Sequence, residues 1–189
     1  AIIVSIMLLR AILKEDLGVF VDSLLSEYEV VGPVPKEFKF AFGKINAFKD
    51  LALNYNTTLL PPKKYVLPQR ETLLTYTMGP DPEMEPVFDR TPRVIFGVHS
   101  CDLHGIWLID DVMAEGTADP HYFARREKAI IVGIDCKEPC YENSFCKSMG
   151  TLSVPDDFDL HLTDLGSDIA IDIGSQAGAV LLEGFTAVR

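Results

Sequence analysis

The residues of this sequence with the most distinctive chemistry are its cysteines, which all lie between residues 101 and 146. The set has four members: Cys101, Cys136, Cys140 and Cys146. Four thiolates are the number of protein ligands that one tetrahedral metal ion or one iron–sulfur cluster requires. We therefore predict that the four side chains converge on a single inorganic centre.

The spacing of the cysteines favours an iron–sulfur cluster over a zinc ion. Three residues separate Cys136 from Cys140 and five separate Cys140 from Cys146, whereas Cys101 is remote. Structural zinc sites usually combine two CxxC pairs, and this sequence contains none. Two alternatives stay open, namely a zinc-stabilised interaction domain without a redox role, and thiols that are inert or joined in disulfides. The number of cysteines does not fix the cluster type, because two-iron clusters also take four.

Two histidines flank the first cysteine and are secondary candidates as ligands. His99 and His104 lie within three residues of Cys101, and an imidazole can bind a metal or support a neighbouring ligand. A cysteine-dependent enzyme is a further hypothesis, but a nucleophilic thiol needs an electropositive, partly open setting. Nothing beyond these two histidines supplies that setting. We interpret His121 and His161 as structural residues.

The composition excludes some classes of function. A net charge of −11 and a pI near 4.7 disfavour nucleic acid as a partner, because phosphate backbones repel an acidic surface. No apolar run approaches the ~20 residues that span a bilayer, and the apolar residues 1–9 lack the flanks of a signal peptide. We therefore expect a cytoplasmic protein, since a reducing compartment keeps thiols free to bind metals. The sequence starts without a methionine, so we expect the natural polypeptide to extend further.

Two buried strands are predicted to position the cysteines. Residues 93–98 and 128–134 are continuous apolar runs, as expected for strands covered on both faces, and 103–113 has the apolar spacing of a helix. A strand–helix–strand unit of this kind pairs its strands in parallel through a right-handed crossover. Because Cys101 and Cys136 follow the two strands, we expect them to leave the same edge of a sheet.

Three segments near these strands have ordinary structural interpretations. Residues 99–102 are predicted to form a turn between strand and helix. Asp102 and Asp135 adjoin cysteines, where a carboxylate can accept backbone N–H bonds, and we interpret Asp102 as a helix N-cap. The glycines of residues 174–178 fall short of a dinucleotide-binding fingerprint, so this segment is predicted to be a strand-to-helix turn.

The first half of the chain is predicted to contribute further elements. Residues 14–28 have apolar side chains at helical spacing, and residues 29–35 read as a short strand ended by proline and glycine. Three phenylalanines alternate between residues 38 and 42, which indicates another strand whose aromatic side chains pack in the core. Residues 78–92 contain four prolines and four acidic residues, so we expect an exposed loop.

Together these patterns predict an α/β fold with a mostly parallel or mixed sheet, flanking helices and a cysteine-bearing loop at the carboxyl edge of the strands. Residues 168–173 alternate like a third strand, and 176–182 begin a helix. We divide the chain into an N-terminal α/β portion, 1–92, and a cluster-binding βαβ portion, 93–189, within one compact domain.

Longer motifs carry a resemblance to a known family. The motifs are Leu60 to Lys64, Leu67-Pro68, Phe96 to Ile106, Asp119 to Tyr122, Arg125-Arg126, Cys136 to Cys140, Ser144 to Thr151, Phe158 to Leu160 and Leu162 to Gly166. Through them, over about residues 14–185, the chain resembles the electron-transfer beta subunits of hydrogenase and sulfur reductase complexes. That family includes the A subunit of anaerobic sulfite reductase.

The resemblance implies an iron–sulfur subunit of a multi-subunit anaerobic redox complex. Such a subunit relays electrons between a flavin-containing subunit and a catalytic subunit of hydrogenase, sulfite or sulfur reductase, or heterodisulfide reductase type. We accordingly expect a 4Fe–4S cluster bound through the four cysteines, and outer-sphere electron transfer without bond chemistry on a substrate.

Two departures from the family pattern affect this expectation. Where the family has a Cys-Phe-Cys pair, this chain has Ser144-Phe145-Cys146, so we expect Cys140 to supply the missing thiolate. Family members also carry a ferredoxin-like segment with two clusters toward the C-terminus, and the printed sequence ends before any such segment.

Overall fold

The computed structural model describes residues 8–155, 158–183, 185 and 188. In this part of the chain nine strands and four α-helices follow one another. None of these helices is long and apolar enough to cross a membrane. In chain order the elements are β1 (Leu8–Leu13), α1 (Leu17–Leu24), β2 (Glu29–Lys36), β3 (Lys39–Lys44), β4 (Leu74–Tyr76), β5 (Met84–Pro86), β6 (Arg93–His99), α2 (Ser100–Ala114), α3 (Pro120–Arg126), β7 (Ala129–Ile134), β8 (Leu160–Asp164), β9 (Asp168–Ile173) and α4 (Gln176–Glu183).

Seven of these strands form one mixed sheet in the order β1-β9-β8-β7-β6-β2-β3. The four central strands β8, β7, β6 and β2 pair in parallel, and the pairs toward both edges are antiparallel. Strands from both 1–92 and 93–189 enter this sheet. The predicted α/β fold with a mixed sheet is confirmed.

The two strands that precede cysteines lie side by side at the centre of the sheet. All seven residues of β6 and five of the six residues of β7 are buried, as expected where helices and loops cover both faces. The strands pair in parallel, and α2 and α3 make the connection between them. The strand–helix–strand prediction is therefore correct.

A continuous hydrophobic core joins the helices to the sheet. Phe20 of α1, Leu103 and Ile106 of α2, and Tyr122 of α3 are at most 1% exposed and pack in the same cluster as Phe96 of β6. Removing a side chain of this size from water contributes roughly 2 kcal/mol. These contacts fix the start of α2 at the carboxyl edge of the sheet.

The first helix is shorter than its sequence pattern predicts. A 3₁₀ turn at Lys14–Asp16 precedes α1, which ends at Leu24, whereas the apolar spacing continues to Tyr28. The Ser26 hydroxyl donates to the carbonyl of Ser23 at 2.9 Å. Side-chain bonds of this kind compete with the helical backbone pattern, which accounts for the early end.

One of the three alternating phenylalanines lies outside the core, contrary to the prediction. Phe38 is 99% exposed, while Phe42 is buried. Because β2 and β3 pair Lys36 with Lys39, Glu37 and Phe38 form the two-residue tip of a hairpin. Glu37 has a φ of 49°, which such a tight turn requires, and the tip projects into solvent.

The residues after β6 form a helix rather than the predicted turn. α2 begins at Ser100, directly after the strand, where the Ser100 hydroxyl donates to the carbonyl of Thr151, a tertiary contact that the local sequence does not predict. His99 occupies the cap position, and its side chain makes no capping hydrogen bond. The interpretation of Asp102 as the N-cap is therefore wrong. Asp102 is the third residue of α2 and still lies near the positive end of the helix dipole.

The predicted loop at 78–92 contains a short strand. β5 pairs in an antiparallel manner with β4, and Thr77 N–H donates to the carbonyl of Glu83 at 2.9 Å. The prediction of an exposed segment is correct, since β4 and β5 consist of exposed residues. The prediction of a loop is wrong for Met84–Pro86, which form β5. Pro86 is its last residue and lies opposite Leu74, at the end of the short strand, where a proline is tolerated.

The last strands of the sheet differ from the sequence-based expectation. β8 is not predicted, since only Leu160 and Leu162 mark its buried face, yet it pairs in parallel with β7. β9 is a strand, as predicted, but it is antiparallel to β8. A short connection through Gly166, with a φ of 100°, permits only a hairpin, because parallel strands need a crossover of a dozen residues or more.

The glycines between β9 and α4 allow close packing of the backbone. A Cβ at Gly174 would lie 2.2 Å from the carbonyl oxygen of Phe158, and one at Gly178 would lie 2.0 Å from that of Asp159. The prediction of a strand-to-helix turn is confirmed, and the glycine spacing follows from this packing.

Candidate functional site

Cys101 and Cys136 lie at the carboxyl edge of the two central strands. Cys101 is the second residue of α2, just after β6 ends at His99. Cys136 lies two residues after Ile134, the last residue of β7. His99 and Ile134 are register partners, so both cysteines leave the same edge of the sheet.

All four predicted ligands line one cavity of about 220 Å³. The Cys136–Cys140 loop forms one wall, and Cys101 and Cys146 contribute from α2 and from the segment after the loop. Ser144, where the resemblance leads us to expect a cysteine, also lines this cavity. Among the described residues, no group of three His, Cys, Asp or Glu side chains is close enough to hold a single metal ion.

Hydrogen bonds hold the loop that carries three of the cysteines. The Cys140 thiol donates to the carbonyl of Asn56 at 2.9 Å, which ties the loop to the segment after Ala52. Tyr141 N–H donates to the Ser144 hydroxyl at 2.9 Å, and Thr151 N–H donates to the carbonyl of Cys146 at 3.0 Å. The loop therefore has a defined path although it lacks regular secondary structure.

The segment after Cys146 is fastened to the start of α2. The Ser100 hydroxyl donates to the carbonyl of Thr151 at 2.8 Å. His104 Nε2 lies 2.9 Å from the carbonyl oxygen of Ser153. This nitrogen therefore forms a hydrogen bond with the backbone and is not directed at the cysteines. Both contacts bring Cys146 toward Cys101.

A β-bulge in β6 shapes the floor of the site. The register with β7 shifts between Phe96 and Val98, and Gly97 between them has a φ of 81°. The Tyr55 hydroxyl donates to the carbonyl of Gly97 at 2.8 Å, and the Tyr55 ring stacks on His99 at 4.0 Å and 5°. Bulges redirect side chains beside functional sites. Sequence reasoning missed Tyr55, because no motif links it to residues more than forty positions away.

Three of the thiols, Cys101, Cys136 and Cys140, have a pKa above the usual value for cysteine. Burial, reinforced by Asp102 and the other thiols, raises the pKa of Cys101 to about 11, although part of this residue is exposed. Burial and the three other cysteines raise the pKa of Cys136 to about 12, and burial also raises the pKa of Cys140. A nucleophilic cysteine needs a lowered pKa, so the raised values argue against a nucleophilic role, whereas a bound cation would itself drive deprotonation of a thiol ligand.

Burial shifts the pKa of two groups beside the cysteines, His99 and Asp102. Burial lowers the pKa of His99 to about 4, so its ring is neutral at pH 7. Burial raises the pKa of Asp102 to about 6. Asp135 accepts a hydrogen bond from the Thr163 hydroxyl at 2.6 Å, and this side-chain contact replaces the backbone N–H bonds that were predicted for it.

A second, larger cavity lies on the other side of the Cys136–Cys140 loop. It measures about 610 Å³, and its walls include Tyr55, His99 and Asp135. The five loop residues line both cavities, so the loop is a partition between them. The sequence gives no signal for this cavity, because its opposite wall is the irregular segment 53–56.

The two remaining histidines do not line the cysteine cavity, and both contact other parts of the fold. His121 lies in α3, where its Nδ1 is 3.0 Å from the carbonyl oxygen of Val87. His161 of β8 is 3% exposed and packs against Gly133, at which a Cβ would lie 2.6 Å from the ring. Burial lowers the pKa of His161 against the opposing effect of Asp135.

The sequence is similar to that of a known redox subunit over most of its length. The chain is 37% identical, over 159 residues, to sulfhydrogenase 2 subunit beta of Pyrococcus furiosus. The match takes in 84% of the chain and 46% of that protein, so the chain spans about half the length of this relative. No protein-family model matches the sequence. Over the matched residues, this similarity confirms the resemblance to the hydrogenase/sulfur reductase beta subunits that the motifs indicate.

Proposed function

We propose that this chain is an iron–sulfur electron-transfer subunit of a multi-subunit redox complex. A 4Fe–4S cluster is held by Cys101, Cys136, Cys140 and Cys146 in the 220 Å³ cavity. Electrons pass through it between a flavin-containing subunit and a catalytic subunit of hydrogenase, sulfite or sulfur reductase, or heterodisulfide reductase type. The chain acts in the cytoplasm, where reducing conditions keep thiols available as ligands.

The observation that carries the proposal is the lining of one cavity by all four cysteines, which come from two separate stretches of the chain. The donor set fits the group, since four thiolates are the usual ligands of a cubane cluster. A cluster spreads its four thiolates around several irons. A single zinc ion would instead draw them within about 2.3 Å of one point.

The spacing of the cysteines favours the cluster over the zinc alternative. Structural zinc sites usually combine two CxxC pairs, and the sequence contains none, while the four cysteines share a cavity. The relative also supports a redox role, because its name describes a beta subunit of a sulfhydrogenase. The identity of this chain's own partners is part of the proposal.

The protein contributes burial and hydrogen bonds to the centre. A bound cluster accepts and releases one electron at a time, and its potential depends on solvent exposure, net charge and hydrogen bonds to sulfur. The Cys136–Cys140 loop shields one side, and Ser144 contributes a hydroxyl to the cavity wall. The net charge of −11 favours a low potential, because added negative charge is disfavoured on an acidic protein.

The proposal is tested by the visible absorption of protein purified without oxygen. We expect a broad band in the blue region that bleaches when dithionite is added. Cys101→Ala should lose that band, because the sequence has no spare cysteine. A colourless wild-type protein that contains zinc would support the structural alternative. A Cys101→Ala protein with full absorption would show that Cys101 is not a ligand.

A further inference from the structure

The 610 Å³ cavity on the other side of the Cys136–Cys140 loop is a concave site separate from the cavity that all four cysteines line. Its volume is typical of pockets for small organic ligands. It opens at the carboxyl edge of the parallel strands, where ligands gather in open α/β sheets. Cys101 and Cys146 do not line it, so it is distinct from the cavity that all four cysteines share.

A buried histidine faces this cavity without a protein partner. His99 is 4% exposed and lines the cavity. Its ring stacks on Tyr55, but neither ring nitrogen is hydrogen-bonded to any described residue. The buried side-chain nitrogen without a partner among the described residues is Nε2 of His161, not an atom of His99. His99 lines the cavity, so a ligand there can accept or donate a hydrogen bond at its ring. Asn54 and Asn56 add exposed amide groups to the same walls.

The charges around the cavity disfavour an anionic ligand. Asp135 and Glu138 are exposed carboxylates on the wall. Lys137, the cation among the lining residues, is engaged by Asp164, with Nζ 2.5 Å from Oδ2. An uncharged ligand with hydrogen-bonding groups avoids both repulsion from the carboxylates and competition with this ion pair.

The cavity adjoins an apolar one of about 470 Å³. Leu53, Asn54, Asp135 and Lys137 line both, and the apolar cavity is walled mainly by aliphatic and aromatic side chains. They are Leu17, Phe48, Leu51, Leu53, Ile134, Leu162 and Ile169. A ligand that bridges the two cavities therefore has one polar and one apolar end.

We propose that the paired cavities bind an uncharged, planar heteroaromatic ring of the size and polarity of an isoalloxazine. Its polar edge lies toward His99 and the asparagines, and its hydrocarbon edge lies toward Leu53. The ring system of a flavin has this division between a hydrogen-bonding edge and a methylated benzene edge. The site requires neither a cluster nor the partner subunits, so it stands independently of the proposed electron relay.

Riboflavin is the probe, because it carries the ring without a phosphate. Its fluorescence is titrated with the purified chain, and we expect saturable quenching. FMN should bind no more tightly than riboflavin, because its phosphate meets the acidic wall. Asn54→Trp places an indole where the two cavities join and should weaken riboflavin binding by at least about tenfold. Asn46→Trp, at another exposed asparagine outside both cavities, should bind like the wild type.

The outcomes separate this site from the cluster. Cys101→Ala should lose iron and keep riboflavin binding, which supports both proposals. A wild-type chain purified without oxygen that contains no iron and still quenches riboflavin supports this site while it contradicts the proposed function. Absence of saturable quenching, equal binding by the Asn54→Trp and wild-type proteins, or much tighter binding of FMN would each overturn the inference.

Discussion

At the scale of single residues, the site depends on which side chains line the small cavity. The type and spacing of the cysteines are sufficient to predict a metal centre, because soft ligands in this number have few other uses. They do not identify Tyr55 or the segment 53–56, which reach the site only through long-range folding. Ser144 was a departure from the family pattern in the sequence, and the structure places it in the cavity wall beside Cys140.

The position of Ser144 allows the role of Cys140 to be tested by exchange. Cys140→Ser should reduce iron content to well below one cluster per chain, because a hydroxyl is a poor ligand for iron. Adding Ser144→Cys to that variant should restore most of the iron, since residue 144 already faces the cavity. The measurement is iron per chain in the two variants and the wild type. Full iron in Cys140→Ser alone, or no recovery in the double variant, would contradict the exchange.

At the scale of elements, the parallel strands β6 and β7 and the helix α2 position Cys101 and Cys136. The buried strands could be predicted from their continuous apolar sequences, because a strand covered on both faces has no polar side. The junction between β6 and α2 could not, since helical and turn conformations of 99–102 differ by tertiary contacts such as Ser100 to Thr151. The bulge at Gly97 could not be predicted either, because an isolated glycine in a strand can indicate a bulge, a bend or a close approach of another backbone.

The bulge predicts a specific cost for a side chain at residue 97. Gly97 has a φ of 81°, and a Cβ there would lie 3.2 Å from both Leu53 Cδ2 and Pro33 Cδ. We expect Gly97→Ala to lower the free energy of unfolding by about 3 kcal/mol from backbone strain and crowding together. Urea denaturation of the metal-free protein measures it.

Gly116 is the matched control for this substitution. It also has a positive φ, 67°, but a Cβ there would meet no atom within 4 Å. Gly116→Ala should therefore lose only about 1 kcal/mol, the strain of a left-handed residue. Equal losses in the two variants would show that crowding at the bulge contributes nothing.

At the scale of the whole molecule, a charge cluster links distant parts of the chain around the site. Asp164, at the end of β8, bonds Lys14 before α1 at 2.7 Å and Lys137 in the cysteine loop at 2.5 Å. The fold class could be predicted from the succession of elements, since strands that alternate with helices form such sheets. The antiparallel pairing of β8 with β9 could not be predicted from the sequence. The contacts of Asp164 with Lys14 and Lys137 could not be predicted either, because they join residues that are brought together only in the folded chain.

The charge cluster predicts a pH dependence of stability. Hydrogen bonds from Lys137 and then Lys14 lower the pKa of Asp164 in the folded protein. A lowered folded pKa means that the stabilisation is present above the unfolded pKa of about 3.9 and is lost as the pH falls through the folded pKa. Asp164→Asn should thus be less stable than the wild type at pH 7, and the difference should shrink below about pH 4. Because the carboxylate is partly exposed, salt should also reduce the difference. Denaturant midpoints from pH 7 downward measure it, and a difference that stays constant would refute this origin.

Iron and acid-labile sulfide analysis of chain purified without oxygen tests the central claim most directly. The four cysteines that line one cavity predict about four irons and four sulfides per chain. A Cys101→Ala preparation should contain little of either. One zinc per chain with no sulfide, or iron content that does not depend on these cysteines, would contradict the account.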